Sequence, residues 1–505
     1  MINTNIGSQK KGQTRLKEKG ENKMGKAKIF VMCFLVFFLA LSIMASAVWA
    51  GEKYKITFKE IQKHKAFYDD PRPFLKDGPL AYKNLFSPNL YAKVTYDVEK
   101  MKKAWAELVG FRAPDVVGKI APEIKPGTYT YEDKEKYPGL KELMIPFQYE
   151  KAFKPGGPPH AGNFPEIKVV PTRQYHWALP IAEATKKHMG LTKLDDQGYL
   201  INDTYVAGYP FPRPSGKYKT QQIIYNWEKR YYSGENVFHY CMPRGWTKDL
   251  KTDTQSLGEM VILRLHGRIL LEPYGWLDER ARERGESRSY SLVHMAPRDM
   301  YGNAFTMLWY LDPNKFDQNL IYISALRRIR KMSATDTQDD VGGGDLIYDD
   351  GEGFCQKLSP KRYPYKFELI AEREYLVMAP QWDGSGYLSS QGLEFRNYEF
   401  ERRPMYVVKL TQMDKNYVYS YRILYIDKET FVPYHVDNYD QKGRLYRTTD
   451  LLIGFIPEMG LLFSMGYMGR DHIDLHSTIS QMYTIPAAEL SRRDISLSHL
   501  VKTVK

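Results

Sequence analysis

Residues 303–354 read NAFTMLWYLDPNKFDQNLIYISALRRIRKMSATDTQDDVGGGDLIYDDGEGF. Two apolar, aromatic runs flank a turn at Asp312-Pro313-Asn314-Lys315, a pattern that predicts a β-hairpin. On the first run Phe305, Met307, Trp309 and Leu311 share one strand face. On the second, Leu320, Tyr322 and Leu326 align in the same way. These seven residues are candidates for the wall of an apolar cavity; a packed core between sheet and helices is the competing reading. The second run passes into a basic stripe, Arg327, Arg328, Arg330 and Lys331. Guanidinium forks match phosphate and carboxylate head groups, so the stripe is a candidate head-group contact. A solvated strand paired with Asp336, Asp339, Asp340, Asp345, Asp349 and Asp350 competes with that reading. An acidic, glycine-rich loop and a short strand-like piece at residues 346–348 follow. The stretch holds no obvious nucleophile and no metal-ligand spacing, which points to binding rather than catalysis.

Downstream the strand signals continue at residues 365–369, 375–377, 406–411, 417–427, 434–439 and 444–452. Upstream they begin at residues 260–265. Turns at 427–430 and 440–443 carry Asp and Gly, and Pro433 fits only a strand start or an edge. This is an α+β chain, mainly β, with an antiparallel meander. The part before residue 159 is mixed and rich in Pro and Gly. Val98, Met101, Trp105 and Leu108 stand at helical spacing, with Asp97 as N-cap and Gly110 as stop. A second helix is expected near residues 178–188. The organisation expected is 1–50 as extended start and signal, 51–158 as a mixed N-terminal part and 159–505 as the sheet domain; 51–505 also reads as one domain.

Residues 29–50 carry no charge, follow Lys23, Lys26 and Lys28, and end on small residues. A basic, then apolar, then small-residue order predicts a secretory signal cleaved after Ala50 and a periplasmic location. An uncleaved anchor is the alternative, since about 20 apolar residues span a bilayer. Residues 1–23 read as an extension ahead of Met24. Losing residues 1–50 removes eight Lys/Arg and two Asp/Glu, which lowers the net charge from +13 to +7. That mild excess, without a basic helix or an aromatic RNA motif, argues against nucleic acid. Cys241 and Cys355 would then be the two cysteines left, paired or free.

Other constellations are weaker. His472, Asp474 and His476 would share one face of a strand and are the metal candidates, against a plain polar face. Calcium in the acidic loop lacks the EF-hand order. Gly384-Ser385-Gly386 is not a nucleophile elbow, and no cofactor fingerprint is present.

The Ile426-Asp427-x-x-Thr430-x-x-Pro433 hairpin, followed by Asp440-x-x-Gly443, resembles the repeated strand pattern of the Lol-pathway lipoprotein carrier and receptor. Most of the chain after residue 50 also resembles a bacterial family of unknown function, domain-of-unknown-function family 1329, whose members are labelled outer membrane lipoprotein-sorting proteins. The segments that carry this are APEIKPGTYT at 121–130, YPFP at 209–212, LWYL at 308–311, RRIR at 327–330, TDTQD at 335–339 and DDGEGF at 349–354. Gly351 stands where the pattern leads one to expect an aromatic residue. The resemblance implies a large curved antiparallel sheet, an open half-barrel with helices on its concave side over an apolar cavity. It implies a periplasmic, non-catalytic carrier for a lipid or lipoprotein acyl group. An inner-membrane export permease or an outer-membrane protein is the expected partner, and outer-membrane association fits the same picture. A lipid or envelope hydrolase and a non-catalytic envelope scaffold are the competing readings.

Overall fold

The hairpin expected within residues 303–326 forms from strands Ala304–Tyr310 and Gln318–Ile323, with Ile321 opposite Phe305. The computed structural model describes residues 86–332, 336–341, 344–381, 386–389 and 394–503. The expected signal at residues 1–50 and its cleavage after Ala50 lie outside the described residues.

Among the described residues sixteen strands form one sheet. They are β1 Gly127–Thr130, β2 Glu166–Val169, β3 Asn236–Trp246, β4 Thr252–Gln255, β5 Leu257–Arg264, β6 Glu286–Ala296, β7 Ala304–Tyr310 and β8 Gln318–Ile323. The rest are β9 Arg328–Lys331, β10 Tyr365–Met378, β11 Glu399–Gln412, β12 Tyr421–Asp427, β13 Pro433–Tyr439, β14 Leu445–Ile456, β15 Leu461–Asp471 and β16 Ser477–Ile485. The order runs β1-β2-β11-β12-β13-β14-β15-β16-β3-β5-β6-β7-β8-β9, with β10 added on β11 and β4 on β3. The path does not close into a barrel. It is antiparallel throughout except where β2 lies parallel to β11, Lys168 opposite Glu399, which corrects the expected all-antiparallel meander.

Local chemistry explains the elements that were expected. Helix α1, Val98–Val109, starts where the Asp97 carboxylate accepts the Lys100 N–H at 2.7 Å and stops at Gly110, φ 89°. It buries Met101, Trp105 and Leu108, and the Trp105 indole donates to the Glu429 carbonyl at 2.7 Å. The 427–430 turn is tied by Asp427 Oδ1, which accepts the Glu429 and Thr430 N–H groups, both at 2.8 Å. Gly443 takes φ 75° in the next turn, and Pro433 opens β13. Helix α2 is Leu179–His188.

Two expectations fail for stated reasons. Strand β3 precedes the strand at 260–265 and pairs with both β5 and β16. Both of its faces are buried along most of its length, so it lacks the polar–apolar alternation that marks a half-wet strand. Residues 346–348 are not a strand: Ile347 makes one bridge to Asp340, and Tyr348–Gly353 coil into short 3-10 turns.

Both sides of the sheet centre are covered. On the face that carries His435, Asp450 and Arg470 lies the segment from Phe147 to Gly162. His435 sits between two carboxylates, Nδ1 to Asp450 at 2.6 Å and Nε2 to Asp437 at 2.8 Å, with the Phe147 ring stacked on it. Arg470 reaches Asp450 at 2.5 Å, and Gln148 donates to it at 2.8 Å. Burial alone would lower the imidazole's pKa; the Asp437 and Asp450 charges outweigh it and raise it to about 9.

A histidine raised from its ordinary value stabilises the fold fully below that value and loses the contribution as pH rises through the folded one. Stability toward urea should therefore fall between pH 6.5 and 9, by roughly 3 kcal/mol from this group. His435→Gln should be less stable at pH 6 and show a flatter decline; an equal decline in both proteins would remove His435 as its source.

Candidate functional site

The opposite face carries a cavity of about 370 Å³. Its floor is built from alternate residues of neighbouring strands, because side chains on one face recur every second position. Cys241 comes from β3, Met260 and Ile262 from β5, Tyr290 and Leu292 from β6, Phe305 and Met307 from β7. Leu451, Tyr467 and Met482 continue it across β14, β15 and β16. Its roof includes Leu346, Ile347, Tyr348, Gly351 and Glu352. Methionine at four lining positions, 260, 300, 307 and 482, gives an adaptable apolar surface.

The roof segment is held by buried polar contacts. The Asp349 carboxylate accepts from the Tyr417 hydroxyl at 2.7 Å and the Gln356 amide at 2.6 Å. Asp350 accepts from the Tyr419 hydroxyl at 2.7 Å and pairs with Arg422 on β12. Glu352 accepts from Arg230 Nε at 2.7 Å and the Tyr290 hydroxyl at 2.8 Å. The Trp227 indole, on helix α3 Lys219–Glu228, donates to the Phe354 carbonyl at 2.9 Å. Burial pushes Asp349 up to about 6. Burial acts the same way on Glu352, yet the Arg230 and Arg288 guanidiniums win and bring it down to about 2.

Polar groups also border the cavity. His239 Nδ1 meets Thr484 Oγ1 at 2.7 Å while its buried Nε2 has no partner, and burial lowers its pKa to about 4. Cys241 and Cys355 both line the cavity and are not joined to each other. Burial raises their thiols to about 12 and about 11.

The residues named from sequence separate into four places. Phe305 and Met307 line the cavity. Trp309 and Leu311 line a second, smaller hollow beside it. Leu320 and Tyr322 project from the other face and pack on the C-terminal helix α4, Leu497–Thr503, against Leu497 and Leu500. Leu326 is exposed, as are Arg327, Arg328, Arg330 and Lys331, the last three on the edge strand β9. Among the described residues the stripe makes no ion pair with the acidic loop, where Asp340 pairs with Arg447, Asp345 with His476 and Asp350 with Arg422. His472, Asp474 and His476 stand in the connection after β15 and do not converge. His472 meets Thr448, and His476 bridges Asp345 and Asp253. Among the described residues no three His, Cys, Asp or Glu side chains group as metal ligands.

The sequence reading passed over Arg230, Trp227, Arg288 and Tyr290. The alternation Ser289-Tyr290-Ser291-Leu292 was a usable strand signal for the last two. Arg230 and Trp227 had none.

The class of protein is thus an open, mainly β sheet with a roofed apolar cavity on one face. The chain belongs to the DUF1329 family, described as a protein of unknown function, whose model matches residues 148–492. No curated protein matches it. Three solved structures are similar. A putative outer membrane lipoprotein-sorting protein domain from Vibrio parahaemolyticus is 16% identical, with 53% of this chain and 92% of that chain covered and a TM-score of 0.38. A DUF1329 family protein from Desulfovibrio piger is 14% identical, covers 53% and 91%, and also scores 0.38. A LolA superfamily protein from Nitrosomonas europaea is 12% identical, covers 52% and 90%, and scores 0.31. At these scores none of the likenesses extends to function.

Asp350→Ala leaves Arg422 buried and unpaired, a change that costs about 3–5 kcal/mol. Denaturant unfolding should show that loss, whereas Arg330→Ala on the exposed edge should stay within about 0.5 kcal/mol.

Proposed function

We propose that this protein is a non-catalytic periplasmic carrier that shelters an apolar ligand, a lipid or an acyl group, in the cavity under residues 346–352. One observation carries the reading: an apolar space of about 370 Å³ is roofed by a segment fixed through its own carboxylates. That volume lies in the range of small-molecule sites, roughly 300–1,000 Å³. Burial at about 0.8 kcal/mol per CH₂ holds an acyl chain without chemistry. The signal-like residues 1–50 support export to the envelope. Among the described residues no helix is long and apolar enough to cross a membrane. Release then needs a second apolar site, supplied by an export permease, an outer-membrane protein or the membrane.

Mass spectrometry of organic extracts from protein purified without detergent should show an apolar molecule near one per chain. Met307→Trp, which fills the floor, should cost about 1–3 kcal/mol, still fold, and lose that molecule. A clean extract, together with no uptake of dodecanol by wild-type protein, would defeat the proposal.

A further inference from the structure

The second hollow, about 60 Å³, adjoins the cavity, and Cys355 borders both. Its lining contains five cationic side chains, Lys229, Arg230, Arg264, Arg288 and Lys357, and one carboxylate, Glu228. Four of the five are committed. Lys229 pairs with Glu228 at 2.8 Å, and Lys357 pairs with Asp317 at 2.8 Å. Arg230 holds Glu352, and Arg264 donates to the Lys229 and Arg230 carbonyls. Arg288 differs. Its contacts with Glu352 are long, 3.4 and 3.5 Å, because Arg230 holds the same carboxylate more closely. Its Nη1 is buried with no hydrogen-bond partner. A buried guanidinium left short of acceptors is costly, and an anionic oxygen group is its natural complement.

The strand register places this cation on the same sheet face as the cavity floor. Arg288 lies opposite Trp309, Tyr290 opposite Met307, and Leu292 opposite Phe305. Each pair is two residues further along one sheet face, so the rows span roughly 13 Å from charge to apolar floor. We propose that Arg288 binds the anionic head, carboxylate or phosphate, of an amphiphile whose chain lies in the cavity. This rests on the carrier reading above and adds the ligand class to it.

Calorimetry with dodecanoate, dodecyl phosphate and dodecanol tests it. Wild-type protein should bind at least one of the two anions about 10- to 100-fold more tightly than the alcohol, the range for a hydrogen bond to a charged group. The better anion tells carboxylate from phosphate. Arg288→Gln should lose that preference and keep its affinity for dodecanol, which also reports that the cavity is intact. If Arg288→Gln does not fold, Arg288→Lys, which keeps the charge and loses the fork, should show a reduced preference. Equal binding of anions and alcohol by wild-type protein overturns the head-group site and leaves the cavity standing. An undiminished preference in the variant that folds overturns it too. No binding of any probe defeats both proposals.

Discussion

Of three carboxylates within four residues, Asp349 and Asp350 are buried and Glu352 is nearly so, and the site depends on how they are matched. Removing such groups from water is expensive unless each finds good partners. Here each does, on a different element: Tyr417 for Asp349, Arg422 and Tyr419 for Asp350, Arg230 and Tyr290 for Glu352. The segment is therefore fixed by directional contacts around its carboxylates as well as by apolar packing, with Ile347 buried against Tyr417 and Tyr419 and the Tyr348 ring edge-on to Phe305. A segment held by apolar packing alone would have nothing to keep it off the floor, because interiors pack to high density. Polar fixation at a set distance lets the apolar floor stay open. Gly351 fits the same design: it lines the cavity, and a Cβ there would stand 3.4 Å from the Cys355 sulfur, so a larger side chain would take up free space.

The sheet that supplies the floor is covered on both faces near its centre, and this has a second consequence. The His435, Asp437, Asp450 and Arg470 cluster ties the segment from Phe147 to Gly162 to the face away from the cavity. With that side closed, β13, β14 and β15 are anchored from behind. Ionic groups thus do opposite jobs on the two faces. On one they clamp a large segment flat against the sheet, and on the other they suspend a short one.

What the sequence disclosed follows from where local rules act. Helix α1 was readable because its cap, its stripe and its stop are all local: Asp97, the Met101–Trp105–Leu108 spacing, Gly110. The two hairpin turns after Asp427 and Asp440 were readable for the same reason. Phe305 and Met307 stand together on the cavity floor because period-two alternation places them on one face. The same alternation could not say which face of the second hairpin strand met the cavity. Leu320 and Tyr322 went to the opposite side, where the C-terminal helix covers them. Strand β3 escaped notice because burial on both faces erases the alternation that marks strands.

Charge was the least legible property. A run such as Arg327 to Lys331 draws attention because its members are adjacent, yet adjacency on an edge strand disperses them into water. The cations that matter to the cavity, Arg230, Arg288 and Arg422, are far apart in sequence and gathered by the sheet. Each acts strongly because it is buried, where the effective dielectric is low and an unmatched partner is costly. A clustered sequence of charges thus argues for solvent, and a solitary arginine between strand residues argues for a buried partner. Arg288, flanked by Ser287 and Ser289 and followed by Tyr290-Ser291-Leu292, shows that pattern; its one carboxylate partner is already held by Arg230. On this sheet Arg288 shares its counter-charge with Arg230, and the proposed ligand's own charge would complete the match.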